Sequence, residues 1–238
     1  MNLILENVKK SFQDKEVLKN ISFTFEKGKI YGLLGRNGAG KTTLFNCISE
    51  EIQKDGGNIY LSENGSKNII SSSDIGYVFS QPILPEFLTG YEFLKFFIEI
   101  NEKSIKNPLS IDEYLNLVKF DKKDSYKLIK DYSHGMKNKI QMLCYLITKP
   151  PVLLLDEPLT SFDIVVAAEM KKLLLEMKKD HILIFSTHIL QLATDLCDEI
   201  VVLNNGVLEE ISSDIIHSQN FEEEIMEVLK DEKDEKDD

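Results

Sequence analysis

The sequence predicts an α/β fold in which a mainly parallel β-sheet is flanked by helices. Three short apolar runs, at residues 152–155, 182–185 and 199–203, have the length and composition of buried strands. Apolar residues at helical spacing lie between them, at 164–177 and 189–197. Because parallel strands are joined by crossover connections, usually helices, this alternation indicates a parallel sheet with helices on both faces.

The N-terminal part of the chain adds further strands and one short helix. Residues 2–8 mix polar and apolar side chains, and residues 21–25 (ISFTF) alternate with a period of two, as half-buried strands do. A strand at residues 30–34 then runs into a glycine-rich loop. An apolar helix over residues 41–48 is predicted to follow that loop.

A helical insertion is predicted between the strands of the sheet, at about residues 82–147. Its helices are indicated by apolar residues at helical spacing over 87–100, 111–118 and 133–147. The chain shows no internal repeat. This argues against two tandem copies of the same domain on one chain.

The domain is expected to span residues 1–215, with an acidic tail at 216–238. Near its end, the turn signal Asn-Asn-Gly at 204–206 predicts that residues 207–209 fold back as an antiparallel hairpin. Residues 222–238 hold ten acidic residues and three lysines, which gives −7 of the total net charge of −12. We expect this tail to be a solvated helix end or an extension, with a docking role as the alternative.

Composition excludes several classes of function. With 42 % hydrophobic residues among 238, the chain can form a core, yet no run approaches 18 consecutive apolar residues. The first ten residues also lack the pattern of a signal peptide, so we expect no transmembrane segment. The acidic balance and the lack of a basic block argue against binding of nucleic acid. Three widely spaced cysteines favour buried thiols over disulfides or a zinc site.

The glycine-rich loop fits the phosphate-binding pattern G-x-x-x-x-G-K-[ST]. Consecutive N–H groups in such a loop form an anion-binding nest, and the helix after it directs its positive end at the same point. We expect Lys41 to reach the β- and γ-phosphates, Thr42 to offer its hydroxyl to Mg²⁺, and Thr43 to bond the α-phosphate. The predicted nucleotide-binding residues of the loop are Gly35, Arg36, Asn37, Gly38, Ala39, Gly40, Lys41, Thr42 and Thr43.

Two carboxylates follow the apolar run at residues 152–155. Ligands of parallel sheets bind at the carboxyl ends of the strands, which is where Asp156 and Glu157 lie. Asp156 is predicted to hold Mg²⁺, mainly through water, because this ion keeps several of its waters. Glu157 is predicted to act as general base toward the attacking water. On their own, ordinary surface carboxylates at a strand end would explain the pattern equally well.

With these two motifs in this order, residues 1–210 resemble the nucleotide-binding domain of the ABC ATPase family. The resemblance implies a P-loop NTPase core, an N-terminal antiparallel β subdomain, the inserted α-helical subdomain, and ATP with Mg²⁺ as cofactors. Gln81, where the sheet gives way to the insertion, resembles the family's Q-loop glutamine. It is expected to touch Mg²⁺ or the attacking water.

A second group of residues resembles the signature loop of the family, usually Leu-Ser-Gly-Gly-Gln. Here it reads Tyr132-Ser133-His134-Gly135-Met136, so a histidine replaces one glycine and a methionine replaces the glutamine. Ser133 is also a natural helix N-cap. The resemblance implies that this loop binds the ATP held by the opposite subunit, which requires a homo- or heterodimer.

Three single residues complete the resemblance. Asp163 occupies the D-loop position, and His188, after the strand at 182–185, resembles the switch histidine that bonds the γ-phosphate. Phe12 lies where an aromatic ring stacks on adenine in this family, with a core role as its alternative. A structural role is equally open for a lone histidine after a strand.

The resemblance implies the ATP-hydrolysing motor subunit of a transporter, working through a separate membrane permease at the cytoplasmic face of the membrane. The stretch at residues 88–97 looks like that of export-type subunits handling drugs, peptides or lipids, which favours export over import. One alternative is a soluble ABC ATPase of translation or DNA repair, although those generally have two ATPase domains or a long coiled coil. Another alternative is a regulatory nucleotide binder that does not turn over.

Overall fold

The structure is a computed structural model of the 238-residue chain, and it describes residues 1–158, 164–212 and 221–229. Its strands within those ranges are β1 (Asn2–Phe12), β2 (Lys15–Glu26), β3 (Ile30–Leu34), β4 (Gly56–Glu63), β5 (Ser66–Ile69), β6 (Ile75–Val78), β7 (Val152–Asp156), β8 (Ile182–Ser186), β9 (Glu199–Asn204) and β10 (Val207–Ile211). Its α-helices are α1 (Lys41–Ile48), α2 (Gly90–Ile100), α3 (Ile111–Leu117), α4 (Lys122–Ser125), α5 (His134–Thr148), α6 (Ile164–Met177), α7 (Leu190–Leu196) and α8 (Phe221–Leu229).

The strands form two sheets, and the larger one carries the predicted parallel core. Its order is β10-β9-β3-β8-β7-β6, and every pair from β9 to β6 is parallel. Strand β10 runs antiparallel to β9, so the predicted hairpin after Asn204 is confirmed. Strands β3, β7, β8 and β9 are almost wholly buried, as expected for strands covered on both faces.

The smaller sheet is antiparallel, with the order β2-β1-β4-β5. This confirms the N-terminal antiparallel subdomain, and it adds strands β4 and β5, which the sequence did not indicate. Strands β1 and β2 also extend well beyond the predicted residues 2–8 and 21–25. They contain irregularities at Asn7 and Asn20, both with positive φ, which interrupt the period-two pattern that marks a strand in the sequence.

The inserted helices form a core of their own between β6 and β7. Buried side chains from α2, α3 and α5 meet there, including Leu94, Leu115 and Ile140. Helix α2 begins at Gly90 rather than at the predicted residue 87. Thr89 and Glu92 form a capping box there, in which each side chain bonds the other's backbone N–H, and this fixes the first turn.

Part of the predicted tail is a packed helix. Phe221 and Ile225 of α8 are buried, at 5 % and 0 % exposure, against the side of the larger sheet that carries Ile200 and Val202. Asn204 at the end of β9 donates from Nδ2 to the carbonyl of Val228 at 2.7 Å. The apolar face of residues 221–229 therefore packs on the domain, whereas a solvated helix end or an extension was expected over 216–238. The division at residue 215 stays a prediction.

Candidate nucleotide-binding and hydrolytic site

The phosphate-binding loop lies between β3 and α1, as its motif predicts. Gly38 and Gly40 have φ values of 82° and 108°, a left-handed conformation that side chains disfavour. A Cβ on Gly40 would also lie 2.8 Å from Cγ1 of Val17. Gly35 has a different role, because a Cβ there would lie 2.7 Å from the carbonyl oxygen of Leu203 on β9. Gly38 and Gly40 thus adopt the backbone conformation that the turn needs, and the lack of a side chain at Gly35 lets β9 lie close to the loop.

Lys41, the first residue of α1, folds its side chain back over the loop. Its Nζ donates to the carbonyl of Gly35 at 2.6 Å and lies 3.4 Å from that of Arg36. The residue is only 7 % exposed. Burial lowers the pKa of Lys41, and the nearby carboxylates of Glu157 and Asp156 oppose that shift. A cation held this way favours an anion in the loop, because each added negative charge stabilises the protonated amine.

The end of β7 places Asp156 opposite α1. Its Oδ2 accepts from the Thr42 hydroxyl at 3.2 Å, and its Oδ1 accepts from the Ser186 hydroxyl at 2.5 Å. Ser186 ends the neighbouring strand β8, is fully buried, and pairs with Asp156 in the register of the sheet. Ser186 is not among the site residues predicted from the sequence. Its only signal was its place at the end of an apolar strand.

Glu157 and His188 form a second contact at the same sheet edge. The Oε1 atom of Glu157 lies 2.9 Å from Nδ1 of His188. A carboxylate can only accept, so the histidine donates from Nδ1. Glu157 has a φ of 49°, and its N–H donates to both the carbonyl and the hydroxyl oxygen of Ser186. These bonds hold the strained residue, and its side chain leaves the sheet beside His188.

A cavity of about 350 Å³ connects the loop with this sheet edge. Its lining residues are Val17, Asn37, Gly38, Gly40, Lys41, Thr42, Thr43, Ser80, Asp156 and Glu157. A second cavity of about 410 Å³ shares three of them and extends to Lys15, Lys19 and the turn at Asn205. Six of the predicted loop residues and both strand-end carboxylates thus line the smaller cavity, Arg36 and Ala39 line the larger one, and Gly35 lines neither.

Other predicted site residues lie outside the lining of these cavities. Phe12, at the end of β1, is 48 % exposed, and Nζ of Lys10 lies 5.3 Å from the centre of its ring. The ring is therefore a surface group rather than a core residue. Gln81 is exposed, and the residue before it, Ser80, lines the smaller cavity instead.

The signature-loop residues lie at the start of α5. Ser133 caps this helix, as predicted, and its Oγ accepts from the N–H of Met136 at 3.2 Å. His134 and Gly135 form the first helical turn. None of these residues lines the cavities around the phosphate-binding loop. Asp163 lies outside the described residues.

Oxygen ligands suited to Mg²⁺ are present beside the loop. The Thr42 hydroxyl and the Asp156 carboxylate are hard oxygen donors 3.2 Å apart, and they fit an ion that also binds phosphate oxygens and water. Among residues 1–158, 164–212 and 221–229, no three His, Cys, Asp or Glu side chains group as a metal-binding cluster. An ion here would therefore take few ligands from the protein.

Known proteins share both the sequence pattern and the fold. A profile of the family described as ABC transporter matches residues 18–160. The sulfate/thiosulfate import ATP-binding protein CysA of Pseudomonas syringae pv. tomato is 32 % identical over 222 residues, covering 90 % of this chain and 68 % of that protein. The bacitracin transport ATP-binding protein BcrA of Enterococcus faecalis is 30 % identical over 220 residues, covering 90 % of this chain and 70 % of that protein.

A solved structure agrees with the fold along nearly the whole chain. It is described as the ATP binding subunit of an ABC transporter, and it superposes with a TM-score of 0.81 at 25 % identity. The match covers 97 % of this chain and 100 % of that chain. The likeness therefore includes the antiparallel sheet and the inserted helices as well as the P-loop core.

Proposed function

Since this chain belongs to the ABC transporter family, as an ATP-binding subunit with ATPase activity, we propose that it drives export through a separate membrane permease. The observation that carries the proposal is the convergence of Lys41, Asp156 and Glu157 on one cavity at the phosphate-binding loop. Export is favoured by the resemblance of residues 88–97 to export-type subunits. The relatives include an import protein, so the direction rests on that stretch alone.

We propose that Glu157 takes a proton from the attacking water and that His188 holds the carboxylate in place. The hydrogen bond from Nδ1 of His188 to Oε1 fixes the orientation of the Glu157 carboxylate at the edge of the cavity. Lys41 exchanges its bonds to the loop carbonyls for phosphate oxygens. Thr42 and Asp156 are the residues that would hold Mg²⁺, which supplies charge stabilisation for the phosphates when bound. Gln81 is proposed to reach this centre when the insertion moves.

The signature loop is proposed to complete the site of a second subunit. Ser133 keeps the capping geometry of a helix N-terminus, where backbone N–H groups and the helix dipole favour an anion. The loop does not line its own chain's cavities, so a head-to-tail dimer, homomeric or heteromeric, would supply the anion.

Phe12 is proposed to stack on adenine with its exposed ring face. Asp163, at the D-loop position of the family, is proposed as a further residue of the site.

The permease is proposed to dock on the helical insertion at the cytoplasmic face of the membrane. Two apolar side chains near its start, Ile83 and Phe87, are 77 % and 79 % exposed. Exposed apolar groups close together on a surface favour a protein partner. Among the residues that the structure describes, no helix has the length and apolar character needed to cross a bilayer.

Substitution of Glu157 by glutamine tests the hydrolytic proposal. We expect ATP hydrolysis to fall on the order of 10²- to 10⁴-fold, because glutamine keeps the shape of the side chain and cannot take a proton. ATP should still bind, and the variant should accumulate as an ATP-dependent dimer in size-exclusion chromatography. Lys41→Ala serves as the contrasting variant, since it should lose affinity for ATP itself. Hydrolysis by Glu157→Gln at the wild-type rate would remove Glu157 from this role.

A further inference from the structure

Tyr132, a buried residue just before α5, contacts two other parts of the helical insertion, α4 and the start of α2. The Tyr132 hydroxyl donates to the carbonyl of Asp124 at 2.9 Å, and its oxygen packs against the backbone of Gly90. The residue is 6 % exposed, and its ring packs on Phe120 with centroids 5.4 Å apart. Tyr132 directly precedes Ser133, the cap of α5. One hydroxyl therefore connects the signature loop to the first residue of α2 and to α4.

The glycine at the start of α2 is explained by this contact. A Cβ on Gly90 would overlap the Tyr132 hydroxyl oxygen and would lie 3.2 Å from Cζ of the same ring. Gly90 is not among the glycines with positive φ, so the lack of a side chain, rather than backbone freedom, is what the site requires.

Backbone and charged contacts join the same two segments beside the tyrosine. The N–H of Ile129 donates to the carbonyl of Leu88 at 2.9 Å, and the N–H of Lys130 donates to that of Glu86 at 3.3 Å. In α5, Nζ of Lys137 lies 2.6 Å from Oε1 of Glu86. Residues 86–88 are thus bonded to residues 129–130 and to Lys137 of α5, and the Tyr132 ring adds a packed contact at Gly90.

We propose that Tyr132 is a positioning residue that makes residues 86–90 and the signature loop one rigid unit, so that Ser133 moves with the exposed apolar loop at Ile83 and Phe87. Tyr132 is 6 % exposed, so a movement that breaks its bond to Asp124 must also disturb the packing of its ring, which an exposed ion pair does not require. The inference rests on the proposed function in one respect, namely that Ser133 acts on the ATP of an opposite subunit. The mechanical connection itself belongs to a single chain.

Hydrogen exchange of backbone amides in the full chain tests the connection. Tyr132→Phe removes the hydroxyl and keeps the ring. We expect the amides of Ile129 and Met136 to exchange about five-fold faster, which corresponds to roughly 1 kcal/mol, the usual contribution of one hydrogen bond. The matched control is Tyr114→Phe, which removes another buried hydroxyl from the same core; that hydroxyl accepts from the N–H of Leu109 at 3.2 Å. The control should leave both amides unchanged.

A rescue experiment identifies the hydroxyl as the responsible group. Gly90→Ala should also accelerate exchange at Ile129, because its Cβ displaces Tyr132. Adding Tyr132→Phe to Gly90→Ala removes the overlapping oxygen, so the double variant should exchange more slowly than Gly90→Ala alone. An additive double variant, or wild-type exchange in Tyr132→Phe, would overturn the proposal.

Steady-state kinetics then test whether the contacts of Tyr132 affect ATP hydrolysis. In Tyr132→Phe we expect a several-fold lower kcat and an unchanged KM for ATP, because the phosphate-binding loop is untouched; Tyr114→Phe should keep both values. Faster exchange with an unchanged kcat would overturn the role assigned to Tyr132. The exchange result does not depend on Glu157, so a failure of the hydrolytic proposal would appear only in the Glu157→Gln variant and would be distinguishable.

Discussion

At the scale of single residues, Ser186 bonds both acidic residues of the site. Its hydroxyl donates to Oδ1 of Asp156, and its hydroxyl and carbonyl oxygens both lie within bonding distance of the Glu157 N–H. It is fully buried. The orientation of the Asp156 carboxylate and the backbone position of Glu157 therefore depend on a serine of the neighbouring strand.

Ser186→Ala should lower kcat for ATP hydrolysis by about ten-fold, because Asp156 loses a fixed donor and its carboxylate can turn away from Thr42. The loss of a buried hydrogen bond should also cost about 1–3 kcal/mol of unfolding free energy. Thr148→Ala is a suitable control, since it removes a hydroxyl bonded to the carbonyl of Cys144, far along α5. The prediction is wrong if both variants reduce kcat equally.

The sequence predicted the residues of this site unevenly, and the reason is physical. Lys41 and Thr42 belong to a motif of consecutive residues that includes the loop, its glycines and the start of the helix. Their positions around the phosphate site can therefore be predicted from the motif alone. Ser186 reaches Asp156 only through the parallel register of β7 and β8, thirty residues apart. A serine at the end of an apolar strand carries no local signal of that contact.

At the scale of elements, α8 turns part of an acidic segment into core. Glu223 and Glu227 are exposed, whereas Phe221 and Ile225 are buried with Ile200 and Ile211. Apolar residues four apart lie on one face of a helix, which explains why this segment packs despite its charge. The many charged residues of this segment predicted a solvated segment, and its apolar face is too short to predict packing from the sequence.

Ile225→Ala should lower the free energy of unfolding by about 2–5 kcal/mol, the range for removing a large aliphatic side chain from a core. Met226→Ala is the matched control, because Met226 lies next to it on the helix and is 54 % exposed. Urea denaturation followed by circular dichroism measures both. Equal midpoints for the two variants would show that α8 adds nothing to the core.

Strand prediction failed where strands are exposed or irregular. All four residues of β5 are exposed, so Ser66–Ile69 has no buried face to produce alternation, and the strand exists because it pairs with β4. The buried strands β7, β8 and β9 were predicted from their apolar runs alone. A buried strand can be recognised in the sequence by its apolar residues, whereas an exposed edge strand has no such pattern.

At the scale of the whole molecule, the expected partner is a multi-span membrane protein. A tagged full-length chain purified from detergent-solubilised membranes of its own cell should bring down such a protein in stoichiometric amount. Phe87→Asp should reduce that recovery, because it places a charge in the proposed apolar contact. Ile69→Asp is the control, since Ile69 is 70 % exposed on the edge of the antiparallel sheet. Recovery of ribosomes or repair proteins instead would support the soluble ATPase alternative.

The position of the helical insertion has a consequence for how the chain folds. Strands β6 and β7 are neighbours in the sheet, yet the whole insertion separates them along the chain. Closing a long loop costs entropy, and each halving of its effective length saves about 0.6 kcal/mol. Because the insertion has its own core, it can form first and bring the end of β6 toward the start of β7. The subdomain that separates these strands in the sequence would thereby act as the local nucleus that lets them pair.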